Sequence, residues 1–226
     1  MLARRIIPLL LNRRGALVKG RGFAKSRVIG HTRQAVRVFQ ARAVDELVLL
    51  DVSGDRPDIA LVRDLAGECF MPLAVGGGIA TIEDAAALIA NGADKVVIRK
   101  PDLISPIARR YGAQAVVVHV LDTDPPDTAR QAVDEGAGEI LLTSVARDGT
   151  MTGYDLDLVA RVSASVPVPV VAAGGAGSYD DLAAALDAGA HAVAAGAMWT
   201  FTDQTPAAAA DRLGALGWPV RRRRAA

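Results

Sequence analysis

The sequence GGIATIEDAAA at residues 77–87 returns in similar form as GGAGSYDDLAA at residues 174–184, 97 positions later. Each copy follows a short apolar run and leads into a helical pattern that ends at a Gly-Ala pair, Gly92-Ala93 or Gly189-Ala190. The distance between these two pairs is again 97 positions. A constant offset over such long segments indicates an internal repeat rather than a chance likeness of glycine-rich turns.

A second echo relates Glu-Leu-Val-Leu-Leu at residues 46–50 to Glu-Ile-Leu-Leu at residues 139–142. Two similar halves, each with four strand–helix units, are what duplication of half a barrel would leave. The repeat therefore predicts an α/β fold, a single (β/α)8 TIM barrel with a half-barrel internal repeat. A doubly wound open sheet is the alternative, and it would not obviously produce such a repeat.

Short apolar runs alternate with amphipathic stretches along the chain, and some runs, such as residues 47–50, are apolar at every position. Continuous runs are typical of parallel strands that are buried on both faces beneath helices. Helices are predicted over residues 82–91 and 180–187, with Thr81 and Ser178 as N-caps. The eight predicted strands are residues 5–11, 46–51, 72–76, 95–98, 115–121, 139–143, 168–172 and 192–195.

Length and composition suit one domain over residues 1–226 with a short basic tail at 219–226. A hydrophobic fraction of 51% is enough for a large core, and a net charge of +1 gives no field that would attract nucleic acid. The lone Cys69 cannot build a disulfide framework, and no apolar run is long enough to cross a membrane. We therefore expect a cytoplasmic protein with no nucleic-acid partner, no membrane partner, no metal and no cofactor.

Glycines at the ends of predicted strands carry the strongest chemical signal. Gly76-Gly77-Gly78, residues 174–177 and Ala195-Gly196-Ala197 each follow an apolar run. Because glycine has no Cβ, the backbone can approach an anion and point N–H groups at it, beside a helix N-terminus that favours phosphate. Barrels commonly bind phosphate after their seventh and eighth strands. These turns predict a phosphate site, although tight turns alone would also require glycine.

Asp148 follows the sixth predicted strand, within Arg147-Asp148-Gly149-Thr150. This carboxylate could orient a substrate hydroxyl or act as a base. It could equally be a turn residue before Gly149.

The sequence resembles the cyclase subunit of imidazole glycerol phosphate synthase, in order and over nearly the whole chain. The resemblance implies a barrel that binds a substrate with two phosphates, and a glutaminase at the opposite face that feeds ammonia through the barrel. The segments that carry it are residues 2–7, 18–20, 45–48, 75–79, 92–96, 114–118, 136–144, 147–150 and 174–177.

The chain departs from this family at both catalytic aspartates, because Leu11 and Leu121 occupy those positions. Leucine has no titratable proton, so it cannot serve as the acid or base of ring closure. Asp122 lies one residue later, where a strand points its side chain the other way unless a bulge intervenes. After the fourth predicted strand, Arg99 and Lys100 replace small polar residues of the family; they could hold a different anion or form surface pairs.

At the family's other phosphate-binding positions this chain keeps small residues. The family also has a ring of four residues of alternating charge, and all four positions keep their charge type here. Such a ring surrounds the ammonia entry, although buried charges that pair could also be a plain plug of the barrel floor. The predicted phosphate-binding residues are Gly78, Arg99, Lys100, Asp148, Gly149, Gly174, Gly175, Ala195 and Gly196, and the predicted ammonia gate is Arg5, Glu46, Lys95 and Glu139.

This combination resembles a branch of the family that is associated with glycosyl amidation in surface-polysaccharide pathways. Residues 7–11 and 65–73 are similar to that branch. The resemblance implies ammonia transfer from a glutaminase to a sugar amidotransferase, without ring closure. The alternative is an enzyme, a cyclase of histidine biosynthesis or a relative that acts on another bis-phosphate, with Asp122 or Asp148 in the catalytic role. A third possibility is an inert phosphate-binding scaffold.

Overall fold

A computed structural model describes residues 3–42, 44–54, 56–124 and 126–221. Eight parallel strands alternate with helices around a closed barrel, because the last strand pairs in parallel with the first. The strands are β1 (Arg5–Arg13), β2 (Ala16–Lys19), β3 (Arg27–His31), β4 (Leu47–Asp51), β5 (Leu73–Gly76), β6 (Lys95–Ile98), β7 (Val116–Leu121), β8 (Glu139–Thr143), β9 (Val170–Ala173) and β10 (Ala192–Ala195). The helices are α1 (Thr32–Ala41), α2 (Ile59–Ala66), α3 (Ile82–Ala90), α4 (Pro101–Tyr111), α5 (Thr128–Asp134), α6 (Leu156–Ser165), α7 (Tyr179–Asp187), α8 (Ala197–Phe201) and α9 (Pro206–Ala215).

The barrel strands follow one another in chain order, from β1 through β4 to β10, and this arrangement confirms the predicted (β/α)8 fold. The predicted strand positions are correct to within two residues at each end. The rival open sheet is wrong, since β10 hydrogen-bonds to β1 from Arg5 opposite Ala192 to Pro8 opposite Ala195.

Both faces of the barrel strands are buried. One face packs beneath the helices, with residues such as Leu47 and Ile140 fully covered. The opposite face fills the barrel interior with aliphatic side chains, because successive residues of a strand point to opposite sides. The buried residues of this interior cluster are Ile7, Val48, Ala74, Val97, Val117, Leu141, Val171, Ala173, Ala192 and Ala194.

The internal repeat is visible in the caps of α3 and α7. Thr81 accepts a hydrogen bond from the backbone N–H of Asp84, whose carboxylate accepts from the N–H groups of Ala80 and Thr81. Ser178 and Asp181 form the same capping box on α7, with the carboxylate accepting from Gly177 and Ser178. Two helices 97 residues apart thus begin with one geometry, as a duplicated half-barrel requires.

A hairpin extends the sheet beyond the barrel and was not predicted. β1 continues past Leu11 to Arg13 and pairs antiparallel with β2, which pairs with β3, so the sheet has ten strands. The short strand β2 lies between Gly15 and Gly20, and its apolar run of three residues was too short to signal a strand.

The last described residues lie beside the first ones. The backbone N–H of Arg4 donates to the carbonyl of Pro219, and Arg4 pairs in parallel with Val220. The predicted basic tail therefore starts as an ordered bridge, and its residues 222–226 lie outside the described residues. Within the described ranges, none of the helices is long and apolar enough to span a bilayer.

Candidate functional site

A cavity of about 520 Å³ opens at the carboxyl ends of the barrel strands. Parallel strands bring their ends to one face, so turns far apart in sequence meet around it. All nine predicted phosphate-binding residues line this cavity: Gly78, Arg99, Lys100, Asp148, Gly149, Gly174, Gly175, Ala195 and Gly196.

Gly196, after β10, lets a buried amine lie directly against the backbone. A Cβ at this position would stand 2.5 Å from Nζ of Lys19 and 2.6 Å from the carbonyl oxygen of Leu9. Lys19 is only 7% exposed and lines the cavity, so its ammonium group lies where the glycine turns converge. An anion bound at these turns would meet a fixed positive charge.

Lys19 and Asp148 line the same cavity, and the charge of each acts on the pKa of the other. Burial lowers the pKa of Lys19, and the charge of Asp148 partly opposes this shift. Burial likewise raises the pKa of the Asp148 carboxyl, against the charge of Lys19. Perturbed acid and amine groups at one cavity are typical of functional sites.

The loop that carries Asp148 is held against the turn after β2. The N–H of Gly22 donates to the carbonyl of Asp148 at 3.0 Å. Gly149 has a φ of +71°, and a Cβ there would meet the carbonyl oxygen of Gly20 at 2.3 Å. Asp148 therefore belongs to a tight turn and also lines the cavity, and its role toward a substrate stays a prediction.

Arg99 and Lys100 both line the cavity but are already engaged at its rim. The Arg99 guanidinium, half exposed, lies 2.9 Å from Oδ1 of Asp124, and Nζ of Lys100 lies 3.4 Å from the carbonyl oxygen of Ala80. An anion at this edge would compete with Asp124 for Arg99.

The two leucines at the positions that the resemblance assigns to the catalytic aspartates differ in placement. Leu11, where β1 meets the hairpin, lines the cavity. Leu121 ends β7 and is 6% exposed, and the cavity lining among the described residues does not include it.

Asp122 lies outside the cavity lining among the described residues. Its Oδ2 accepts hydrogen bonds from the hydroxyl of Ser144, at 2.8 Å, and from the N–H of Ala146. Through Oδ2 the carboxylate braces the loop after β8, and among the described residues its buried Oδ1 has no hydrogen-bond partner.

Asp51 is a cavity carboxylate that the sequence interpretation did not single out. It ends β4, where Nδ2 of the buried Asn12 donates to its Oδ2 at 2.7 Å and the N–H of Ser53 donates to its Oδ1. Asn12 in turn accepts a hydrogen bond from the hydroxyl of Thr32. The position of Asp51 at a strand end was the available signal.

His119 is the second group that sequence reasoning missed, because it lies inside an otherwise apolar run. It lines the cavity from β7, and its Nε2 is 2.9 Å from Oγ1 of Thr143 on β8. Burial lowers the pKa of this imidazole to about 4, with a further contribution from Arg99 that Asp124 opposes. His119 is therefore uncharged at neutral pH.

At the other end of the barrel, the four predicted gate residues form a closed ring of ion pairs. Arg5 donates to both Glu46 and Glu139. Nζ of Lys95 lies 2.8 Å from each of the same two carboxylates. The side chains of Glu46 and Glu139 are only 4% and 7% exposed.

Electrostatics within this ring favour the ionised forms of Glu139 and Arg5. Burial alone would raise the pKa of Glu139, but the hydrogen bond and charge of Arg5 and the charge of Lys95 outweigh it, so the pKa is lowered. For Arg5, burial would lower the pKa, and the two glutamates reverse this and raise it.

The described ranges contain no cluster of three or more His, Cys, Asp or Glu side chains that could hold a metal ion. Cys69 is half-buried, burial raises the pKa of its thiol, and its Sγ lies 3.5 Å from the carbonyl oxygen of Met71. A raised thiol pKa disfavours the reactive thiolate form.

Comparison with known proteins places this architecture in a family. The family model described as "Histidine biosynthesis protein" matches residues 5–204. The chain is 39% identical over 250 residues to the imidazole glycerol phosphate synthase subunit HisF of Hyphomonas neptunium, covering 98% of this chain and 99% of that protein.

Two further relatives agree. A Campylobacter jejuni protein provisionally named imidazole glycerol phosphate synthase subunit hisF2 is 36% identical over 246 residues, with 98% and 99% coverage. The HisF subunit of Streptomyces coelicolor is 40% identical over 249 residues, with 97% and 99% coverage. The chain belongs to the histidine biosynthesis protein family, as a full-length relative of the HisF subunit of imidazole glycerol phosphate synthase.

Proposed function

We propose that this chain is a non-cyclase barrel that docks a glutaminase and conducts ammonia to an amidotransferase acting on a sugar, in the cytoplasm. The observation that carries the proposal is a contrast within one barrel. Leu11 and Leu121 occupy the positions of the family's catalytic aspartates, whereas the ring of Arg5, Glu46, Lys95 and Glu139 is complete.

Loss of ring closure follows from the chemistry of the two leucines. General acid–base catalysis needs a group that exchanges a proton with the reacting atoms, and neither side chain can do so. Asp122, the nearest replacement in sequence, is tied to Ser144 and Ala146.

Retention of the ring supports a role at the amino-terminal face of the barrel. Its buried charges cost solvation free energy that pairing must offset, and a set of aliphatic residues would close the same opening at no such cost. Ion pairs can be rearranged when a partner binds, which an aliphatic plug cannot imitate. A glutaminase docked at this face would release ammonia directly above the ring.

The cavity supports a phosphorylated small molecule as its ligand. Lys19 provides a buried cation beside Gly196, and Arg99 and Lys100 add cations at the opposite rim. We take residues 1–226 as the functional unit of this activity.

The test is the rate of glutamine hydrolysis by a glutaminase that is encoded beside this chain, with and without the purified barrel. The proposal expects stimulation of at least tenfold and a stable complex. Lys95→Met should reduce the stimulation, and Arg212→Ala, at an exposed ion pair with Asp180, serves as the matched control. Absence of both binding and stimulation with every neighbouring glutaminase would refute the proposal.

The alternative function is the cyclase of histidine biosynthesis or a related reaction on a bis-phosphate. The cavity still holds two carboxylates, Asp51 and Asp148, and the raised pKa of Asp148 suits a proton donor. Relatives of 39–40% identity carry the HisF name. Complementation of a histidine auxotroph decides between the two functions, since growth requires ring closure.

A further inference from the structure

His119 lies where the barrel interior meets the cavity. On β7 it shares a face with Val117, two residues earlier, which belongs to the interior cluster. Val97, Ala173 and Ala194 belong to the same cluster and also line the cavity. The upper surface of the aliphatic interior is therefore the cavity floor, and His119 is a polar group at that boundary.

The imidazole has one nitrogen held and one nitrogen open. Nε2 is fixed by Oγ1 of Thr143 at 2.9 Å, and within the described part of the chain Thr143 is the only hydrogen-bond partner of this ring. Arg99 and Asp124 are the charged groups that act on it, from the ends of β6 and β7. The other charged groups of the cavity wall are Arg13, Lys19, Asp51, Lys100 and Asp148.

A small neutral hydrogen-bonding molecule is the ligand that this boundary fits. Such a molecule loses its hydrogen bonds with water while it passes among aliphatic side chains, and this loss is unfavourable until a partner is found. An uncharged imidazole nitrogen can accept an N–H hydrogen bond, whereas an imidazolium cannot. Leu11 and Leu50, on neighbouring strands that also line the cavity, offer no hydrogen bond.

We propose that His119, held by Thr143, is the site that receives ammonia where the barrel interior opens into the cavity. This inference rests on the proposed function, because ammonia is the molecule that function sends through the barrel. Ammonia is neutral and small, so it suits an aliphatic interior better than ammonium does. In the tautomer that this site requires, Nε2–H donates to Oγ1 of Thr143, and the open Nδ1 is the unprotonated nitrogen, which accepts a hydrogen bond from ammonia and leaves the ammonia lone pair free.

The experiment is a titration of the full chain with ammonium chloride in mildly alkaline buffer, followed by the imidazole nitrogen resonances. The chain has three histidines, and His31 and His191 are internal references. The resonance of His119 is assigned from its loss in His119→Gln. Potassium chloride at equal ionic strength is the control for salt effects. We expect a saturable shift of His119 alone, with a midpoint several-fold higher in Thr143→Val.

Two results would overturn the inference: no shift of His119 beyond the potassium chloride control, or an equal shift at all three histidines. The shift itself is read on the wild type, and variants serve only to assign the resonance: if His119→Gln misfolds, His31→Gln and His191→Gln identify the remaining resonance by elimination. Glutaminase stimulation, measured on the same preparation, separates this inference from the proposed function. Stimulation without an ammonia shift refutes only the His119 site, whereas an ammonia shift without stimulation supports that site and counts against glutaminase docking.

Discussion

The two ends of the barrel differ in how their buried charged groups are paired. At the amino-terminal end, each of the four ring residues contacts two partners of opposite sign. At the carboxyl-terminal end, Lys19 and Asp148 shift each other's pKa without forming an ion pair, and His119 is uncharged at neutral pH. Saturated pairing holds a structure in place, whereas partly satisfied groups around a cavity leave interactions for a ligand. The difference teaches that the two ends of the barrel are built on separate sets of contacts, and the proposed function rests on a change at one end that leaves the other intact.

The largest effect should come from unbalancing the ring. Glu139→Gln leaves Arg5 and Lys95 with one carboxylate between them, and we expect a loss of about 3 kcal/mol in the free energy of unfolding, since a broken buried pair leaves an uncompensated charge. Denaturant unfolding measures this. The matched control is Asp180→Asn, at an exposed pair with Arg212, which should cost less than about 1 kcal/mol. Equal losses in the free energy of unfolding for the two variants would mean that the ring stabilises the fold no more than an exposed ion pair does.

At the cavity end, Gly196→Ala should weaken binding of inorganic phosphate at least tenfold, about 1.4 kcal/mol. The new methyl group would displace Nζ of Lys19, and it would also meet the rigid carbonyl of Leu9. Calorimetric titration is the readout. Gly30→Ala is the control, because nothing lies within 4 Å of a Cβ at that position. Unchanged phosphate affinity in Gly196→Ala would remove Lys19 and this turn from the anion site.

The pH dependence of stability should have opposite signs at the two ends. The pKa of Glu139 in the folded state lies below its ordinary value of 4.5. Its contribution to the free energy of unfolding is therefore fully present above pH 4.5 and is lost as the pH falls through the folded-state pKa. The pKa of Asp148 in the folded state lies above its ordinary value of 3.8. Its contribution to the free energy of unfolding is therefore present below pH 3.8 and is lost as the pH rises through the folded-state pKa. Relative to the wild type, Asp148→Asn should therefore gain stability toward neutral pH and Glu139→Gln should lose it. If unfolding curves show that the stability of both variants relative to the wild type changes in the same direction as the pH rises toward neutral, the two ends do not differ in this way.

The smallest effect concerns the cavity rim. Asp124→Asn removes the charge that engages Arg99 but keeps an oxygen for the N–H of Leu121, so phosphate should bind a few-fold more tightly. The gain is small because Arg99 is half exposed and such pairs contribute less than about 1 kcal/mol. Asp127→Asn, which removes the exposed pair with Arg130, is the control in the same titration. Weaker phosphate binding in Asp124→Asn would mean that the pair of Asp124 and Arg99 supports the local structure of the rim and does not compete with the anion.

The sequence predicted well whatever depends on local pattern. The continuous apolar run at residues 116–118 is a strand buried on both faces, and Thr81 and Ser178 are N-caps as expected. Clustering of the glycine turns followed from topology, because parallel strands end at one face.

What the sequence did not predict depends on contacts between distant segments. The hairpin partner β2 is four residues long and gains its stability from pairing with β1 and β3. The approach of Lys19 to Gly196 joins positions that no local pattern relates. His119 lies in an apolar run, where only the alternation of a strand tells the cavity side from the helix side.

The most direct test of the central claim is a ring-closure assay with the bis-phosphate substrate that the resemblance implies and added ammonium salt, so that no glutaminase is needed. We predict no detectable product from the wild type. The double variant Leu11→Asp, Leu121→Asp is measured beside it, and activity there would assign the loss to those two positions. Ring closure by the wild type at a rate comparable to that of a HisF relative would contradict the account, because another carboxylate would then perform the chemistry that the leucines cannot.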